Sequence, residues 1–287
     1  MTIPATHRRG AIERPSVFRL EFREDPSKHI VLGGVVPVDE EMFVDRFRAM
    51  LAHVHAPQAF VFVHGFNVSF EDACLRTAQL GYDLKDFVPA LFSWPSRGSV
   101  VDYTADATAI QWCRLHLRAF IETLVTRTGV TSLHLIAHSM GSQALAALVS
   151  EFTDSEVVKE VILAAADLDR RIFEEQIAPA LEHKRSGRTT VYASSADQAL
   201  QLSKKANAGY PRLGDCEDGV CVVPGVETVD VSGVAGSRFG LRHSTVFDVR
   251  TMVDDLHRLL DNGMPADRRG LDEKTVAAGK YWIVPAR

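Results

Sequence analysis

The sequence predicts a single-domain α/β fold built on one doubly wound, mostly parallel sheet of about eight strands. Three observations carry that expectation. Short apolar, β-branched runs alternate with helix-length amphipathic segments along the whole chain. Central runs such as Phe60-Val61-Phe62-Val63 and Leu133 to Ala137 are almost wholly apolar, as strands covered by helices on both faces are. No internal repeat or low-complexity tract interrupts the pattern.

The expected strands are residues 17–23, 30–36, 59–64, 90–93, 132–137, 157–164, 189–193 and 227–231. Helices are expected between them. Phe43, Phe47, Met50 or Leu51, and Val54 form one stripe behind Asp39 as N-cap. Ser69-Phe70-Glu71-Asp72 reads as a capping box opening a helix to about Tyr82. Residues 106–127 read as one long helix, with Ile110, Leu117, Ile121 and Leu124 on one side and Gly129 just past its end. Residues 139–151 and 244–260 complete the set. The domain is expected to span 17–262, with an N-terminal extension over 1–16 and a C-terminal extension over 263–287. In that last stretch Tyr281-Trp282-Ile283-Val284 is the one apolar run, and it fits packing on the domain or contact with another copy equally.

Composition narrows the function. Of 287 residues, 46% are apolar and 24% charged, enough to bury a core without disulfide or metal staples. A net charge of −5 speaks against nucleic acid as a partner, because phosphate contacts need a concentrated basic face. No run approaches the ~20 apolar residues of a membrane helix. Arg8-Arg9 has no apolar stretch behind it, so no signal peptide is expected and a cytoplasmic location is the default. Four scattered cysteines do not make a disulfide scaffold. Cys74 and Cys113 fall inside helical patterns, and Cys216 and Cys221 flank a loop-like stretch without the further ligands a metal site needs.

The chemistry is concentrated after the strand expected over 132–137. Leu133-His134-Leu135-Ile136-Ala137-His138-Ser139-Met140-Gly141 is a buried strand running straight into Ser139, followed by helix-forming Ser142-Gln143-Ala144-Leu145. This is the strand, serine and helix context of a nucleophile elbow. The turn strains the serine backbone and lifts its Oγ above the sheet. The flanking positions must be small where helix and strand meet; Gly141 satisfies one, and Ala137 stands where glycine is usual. The helix N-terminus directs free N–H groups at a developing oxyanion.

Serine needs a base, and the base needs an orienting acid. In this fold they follow in the chain order serine, acid, histidine, which makes the expectation an α/β-hydrolase fold without a large cap domain. Only His183, His243 and His257 follow Ser139. His183 lies in a charged run and His257 inside the last helix, whereas His243 sits in the loop before that helix and is the expected base. His138 lies on the wrong side of the turn. Asp197, in the loop after the strand 189–193, is the expected acid, with Asp167 and Asp169 after the preceding strand as rivals. Asp169 also suits a helix cap. His64-Gly65-Phe66-Asn67 ends the strand 59–64, so the Phe66 N–H is expected to join that of Met140 in an oxyanion hole. His64 is read as structural and Asn67 as a brace for this loop.

Taken together these stretches resemble a bacterial α/β-hydrolase family known as a domain of unknown function. The resemblance is carried by Phe62-Val63-His64-Gly65-Phe66-Asn67, Phe92-Ser93-Trp94-Pro95-Ser96, Leu135 to Gly141, Ala165 to Asp169, Tyr192 to Asp197, Gly209-Tyr210-Pro211-Arg212 and His243-Ser244. It implies the fold and a Ser-Asp-His triad, and alanine at the position of Ala137 is common in that family. It implies no substrate.

For the substrate side, Trp94 fits an apolar wall over the site and a core tryptophan equally well. Asn67 and Tyr210 are the other expected substrate contacts. Residues 204–225 read as an irregular excursion over the catalytic mouth, and without a long cap the site is expected to be open. The expectation is a hydrolase of small-molecule carboxylic esters of modest size, working through an acyl-enzyme with no metal or organic cofactor. An amidase or acyltransferase would use the same triad. A catalytically silent binding module on this scaffold is the rival from another class. Nothing in the sequence fixes the oligomeric state.

Overall fold

The structure, a computed structural model, describes residues 1–16, 21–97, 102–234 and 243–285. Among these, eight strands form one sheet: β1 Gln58–Val63, β2 Val88–Phe92, β3 Ser132–His138, β4 Val158–Ala164, β5 Thr189–Ala193, β6 Val226–Asp230, β7 Asp272–Val276 and β8 Gly279–Ile283. Their order is β2-β1-β3-β4-β5-β6-β8-β7. Every pairing is parallel except the β7–β8 hairpin.

Six of the eight expected strands are present. Of the run 17–23, residues 17–20 lie outside the described residues, and 21–23 form no strand. The run 30–36 makes only an isolated bridge between Val31 and Thr2. Its apolar character misleads, because Val35 and Val36 face solvent and no burial holds them in a sheet. The remaining two strands come from the C-terminal segment. Trp282 and Ile283 of β8 pair with Val229 and Asp230 of β6, which makes the apolar run 281–284 part of the sheet edge.

Helices cover both faces, and strand alternation decides which residues meet them. Ala59, Val61 and Val63 of β1 and Leu133, Leu135 and Ala137 of β3 turn to one face. There they meet α1 Glu40–Leu51, α3 Tyr103–Trp112, α4 Arg114–Arg127 and α5 Gly141–Val149. The helical segment after β4 packs on the same face: α6 Arg170–Ile172, a π turn Phe173–Ile177 and α7 Ala178–Leu181. Phe60, Phe62 and Ile136 turn to the other face. They meet α2 Phe70–Leu84 and, near the C-terminus, α9 Thr245–Asp248 and α10 Arg250–Asn262. Between β5 and β6 lies α8 Gln198–Ala206.

Local signals account for some helix ends. Asp39 accepts from the Met42 N–H, and Ser69 from that of Asp72. The single helix expected over 106–127 is two helices that meet at the buried Cys113. The last helix breaks at Val249, which is extended, and α10 ends on Gly263 in the left-handed conformation. All four cysteines are free thiols, and burial pushes Cys216 and Cys221 up to about 12. No helix among the described residues is long and apolar enough to cross a membrane.

Away from the C-terminal strand ends, β3 and β4 bury titratable groups. Burial pushes the Glu160 carboxyl from 4.5 up to about 7, against the opposing pull of Arg188 and Lys184. It pushes the neighbouring His134 imidazole down to about 3. A raised carboxyl pKa means that the folded chain holds the proton more tightly than the unfolded one. Its stabilisation is therefore complete below pH 4.5 and is lost as pH rises through about 7. His134 acts with the opposite sign, so the contrast with a variant isolates Glu160. Relative to Glu160→Gln, the wild-type protein should lose about 2–3 kcal/mol of unfolding free energy across this window. Urea titrations of both proteins at pH 4.5, 5.5, 6.5 and 7.5 measure it, and a constant difference would contradict the assignment.

Candidate active site

The site begins with the turn that ends β3. Ser139 has φ +52°, a left-handed conformation that side chains resist. Its N–H donates to Ala164 O at 3.0 Å, while its carbonyl accepts from Ser142 at 3.0 Å and Asp167 at 3.1 Å. Tight packing forces small residues around it. A Cβ on Gly141 would lie 2.5 Å from His64 O and 2.8 Å from Val63 O, because α5 starts directly against the end of β1. A Cβ on Gly65 would lie 2.8 Å from the Ser139 Cβ and 3.1 Å from His138 Nδ1.

The loop after β1 runs beside this turn. Among the described residues, neither the Phe66 nor the Met140 backbone N–H donates to an acceptor. The loop is clamped from one side: Asn67 N donates to Ser96 Oγ at 3.1 Å, and Ser96 Oγ donates to the buried Asp106 at 2.7 Å. His64 is structural. Burial lowers its pKa, and its ring stacks on Trp94 at 5.2 Å with an interplanar angle of 6°.

The expected acid and base, Asp197 and His243, meet across 46 residues of sequence. His243 Nδ1 bonds to Asp197 Oδ2 at 2.7 Å, while Asp197 Oδ1 accepts from the Leu200 N–H at 3.0 Å and caps α8. Asp197 is 1% exposed, so both oxygens are engaged away from water. A carboxylate only accepts, so Nδ1 is the donor in this bond, and in the neutral imidazole Nε2 is left with the lone pair. The rivals are occupied elsewhere. Asp169 caps α6 through the Arg171 and Ile172 N–H groups. Asp167 accepts from Arg212 Nε at 2.8 Å, Ser203 Oγ at 2.5 Å and Tyr103 OH at 2.9 Å.

Ser139 and His243 line one cavity of about 450 Å³ with Phe66, Asn67, Leu200 and Leu202. Trp94 does not line this cavity: it is 2% exposed, and its Nε1 donates to His64 O at 2.7 Å. It is the core tryptophan of the two readings. Tyr210 lines a neighbouring cavity of about 810 Å³ that shares Tyr103 and Ala206 with the first. The excursion 204–225 folds down rather than over the mouth in its middle part. Arg212, Leu213 and Asp215 are buried, and Gly214 packs on the Ala165–Ala166 backbone. Only its first turn, at the end of α8, reaches the cavity.

The model of one family, described as an alpha/beta hydrolase of unknown function (DUF900), matches residues 40–261. The chain belongs to this family. No curated protein matches the alpha/beta hydrolase in sequence. Among solved structures it is similar to a predicted CIB-like hydrolase of Thermoplasma acidophilum, with 17% identity, a TM-score of 0.42, and 70% of this chain and 87% of the other covered. An esterase of Pyrococcus furiosus is 13% identical, with a TM-score of 0.41 over 72% of this chain and 83% of that one. The carboxylesterase CesB of Bacillus subtilis is 10% identical, with a TM-score of 0.38 over 79% and 100%.

Three parts of the hydrolase's site were not legible as site residues in the sequence. Asp106 reads as a helix start and is instead the buried anchor of Ser96. Tyr103 and Arg212 converge on Asp167 from 64 and 45 residues away, and no local pattern marks such a meeting. Helix α8 had a usable signal, since Asp197 stands as an N-cap before Gln198-Ala199-Leu200.

Gly65 offers a direct test of how tightly the two loops are matched. Gly65→Ala places a methyl against Ser139 and must displace the elbow or the Phe66 loop. It should cost on the order of 10²-fold in kcat/KM with about 1–3 kcal/mol of stability. Ester hydrolysis and thermal unfolding of the purified variant measure both, and unchanged activity would show that the loops can part freely.

Proposed function

We propose that the chain is a serine hydrolase that cleaves carboxylic esters of modest size through an acyl-enzyme. One observation carries this reading: the 2.7 Å bond of His243 to Asp197 sets a base in the cavity that Ser139 lines, with its Nε2 unbonded among the described residues. Ser139 Oγ attacks the ester carbonyl while His243 Nε2 takes its proton. The carbonyl oxygen becomes an oxyanion and is held by the N–H groups of Phe66 and Met140, which have no acceptor of their own among the described residues. Collapse expels the alcohol with the proton returned by His243. A water molecule, activated by the same histidine, then releases the acid and restores the serine.

The cavity's lining supports an apolar acyl group. Phe66, Val68, Leu200, Leu202 and Ala206 face it, and its inward polar groups Tyr103, Asp167 and Ser203 are bonded to one another. A polar acyl chain would find few unengaged partners there.

Ser139→Ala should fold normally and lose on the order of 10⁴-fold or more in turnover of nitrophenyl esters, along with labelling by a fluorophosphonate. A well-folded Ser139→Ala protein of near-native activity overturns the proposal.

The acid assignment has its own test. Asp197→Asn should lose on the order of 10⁴-fold in kcat, because the amide favours the wrong tautomer of His243. Asp169→Asn should leave kcat nearly unchanged and cost at most about 1 kcal/mol of helix-cap stability. Kinetics and melting curves of the pair decide it, and the reverse pattern would move the acid to the loop after β4.

A further inference from the structure

His138, the residue before the elbow, is 8% exposed, lines the same cavity and is unused by the proposed reaction, yet it touches His243. Its Nε2 lies 2.9 Å from the backbone carbonyl of His243, and the two ring centroids are 4.6 Å apart at an angle of 48°. A carbonyl oxygen only accepts, so Nε2 carries the proton of the His138 ring. The Nδ1 atom then keeps a lone pair and faces Gly65, where no side chain can intervene. Phe247 closes the ring from the side, edge-on at 5.5 Å, and is itself edge-on to Phe62 at 5.6 Å.

Resting on the serine-hydrolase reading above, we propose that His138 is a positioning residue that holds the main chain of His243 so that its imidazole stays in the cavity that Ser139 lines. Asp197 grips the side chain of the base through Nδ1, and His138 grips its backbone through the carbonyl. A single bond from Asp197 leaves the imidazole free to swing with its backbone. A second bond to the main chain removes that swing. Because His138 adjoins Ser139 in the chain, nucleophile and base are referred to the same strand end.

The role requires a neutral His138. A second cation 4.6 Å from His243 would oppose the imidazolium that forms when the serine proton is taken. The surroundings keep it neutral: burial, His243, Arg76 and His64 all push its pKa well below the ordinary value, against the bond to the His243 carbonyl. Arg76 is paired with Asp248 at 2.6 Å, which ties α2 to the segment just after His243.

The test uses His138→Leu, which keeps apolar bulk without a donor, and His138→Gln, whose amide N–H reaches toward the same carbonyl. With a nitrophenyl ester, His138→Leu should lose about 10- to 100-fold in kcat, with KM within about threefold of wild type. His138→Gln should recover most of kcat, to within about fivefold of wild type. The downfield proton resonance of the His243–Asp197 bond should weaken in His138→Leu and persist in His138→Gln. Near-wild-type turnover by His138→Leu, equal impairment of both variants, or failure of both to fold overturns the positioning role. Ser139→Ala measured alongside separates this from failure of the underlying reading: an active Ser139→Ala protein removes the serine mechanism itself.

Discussion

At Ser139 the backbone adopts φ +52° between a fully buried strand and a helix that doubles back along it. Such a turn is strained by roughly 1–3 kcal/mol for a residue with a side chain, and it persists only where its surroundings over-determine it. Here they do so through three backbone hydrogen bonds to β4, α5 and the Asp167 loop. The close approach that these bonds enforce explains why Gly65 and Gly141 have no room for a methyl group. Beside this turn the N–H groups of Phe66 and Met140 find no acceptor among the described residues, and donors left unpaired in this way suit the stabilisation of a developing oxyanion.

Asp197 joins the chemistry to the architecture in a second way. One carboxylate oxygen holds His243 and the other caps α8, the helix whose Leu200, Leu202 and Ala206 wall the cavity. The same side chain thus orients His243 and sets the start of the helix that walls the cavity. Beside the serine turn, Asp167 accepts from Arg212, Ser203 and Tyr103, which pairs a buried carboxylate and fastens α3, α8 and the 207–215 segment together. Buried charge placed next to a reaction centre must be paired or it disturbs the centre's electrostatics.

The sheet order puts these parts in one place. β1, β3, β4 and β5 are neighbours and parallel, so the loops after their carboxyl ends emerge side by side. Those loops carry Phe66, Ser139, Asp167 and Asp197 in turn. The C-terminal hairpin extends the opposite edge, where β8 pairs with β6, and it takes no part in lining the cavity. It covers the edge of β6 and leaves the exposed strand β7 as the new edge of the sheet.

The central strands and the elbow were written in the sequence itself, because both are local patterns. A continuous apolar run must be covered on both faces, and a buried strand running into Ser-x-Gly leaves little choice of turn. The caps at Asp39 and Ser69 were legible for the same reason, since a cap is satisfied within three residues. The pairing of His243 with Asp197 was approachable through chain order alone, although order could not exclude Asp167. Only the tertiary structure showed Asp197 bonded to His243, with Asp167 given to Arg212 and Asp169 to a helix cap. It also decided that Val35 and Val36 stay exposed while Trp282 joins the sheet, and that Trp94 stacks on His64 rather than facing the cavity. These outcomes depend on which surfaces meet across long stretches of chain. β-branched and aromatic composition records a preference for burial, but it does not record which partner will supply it.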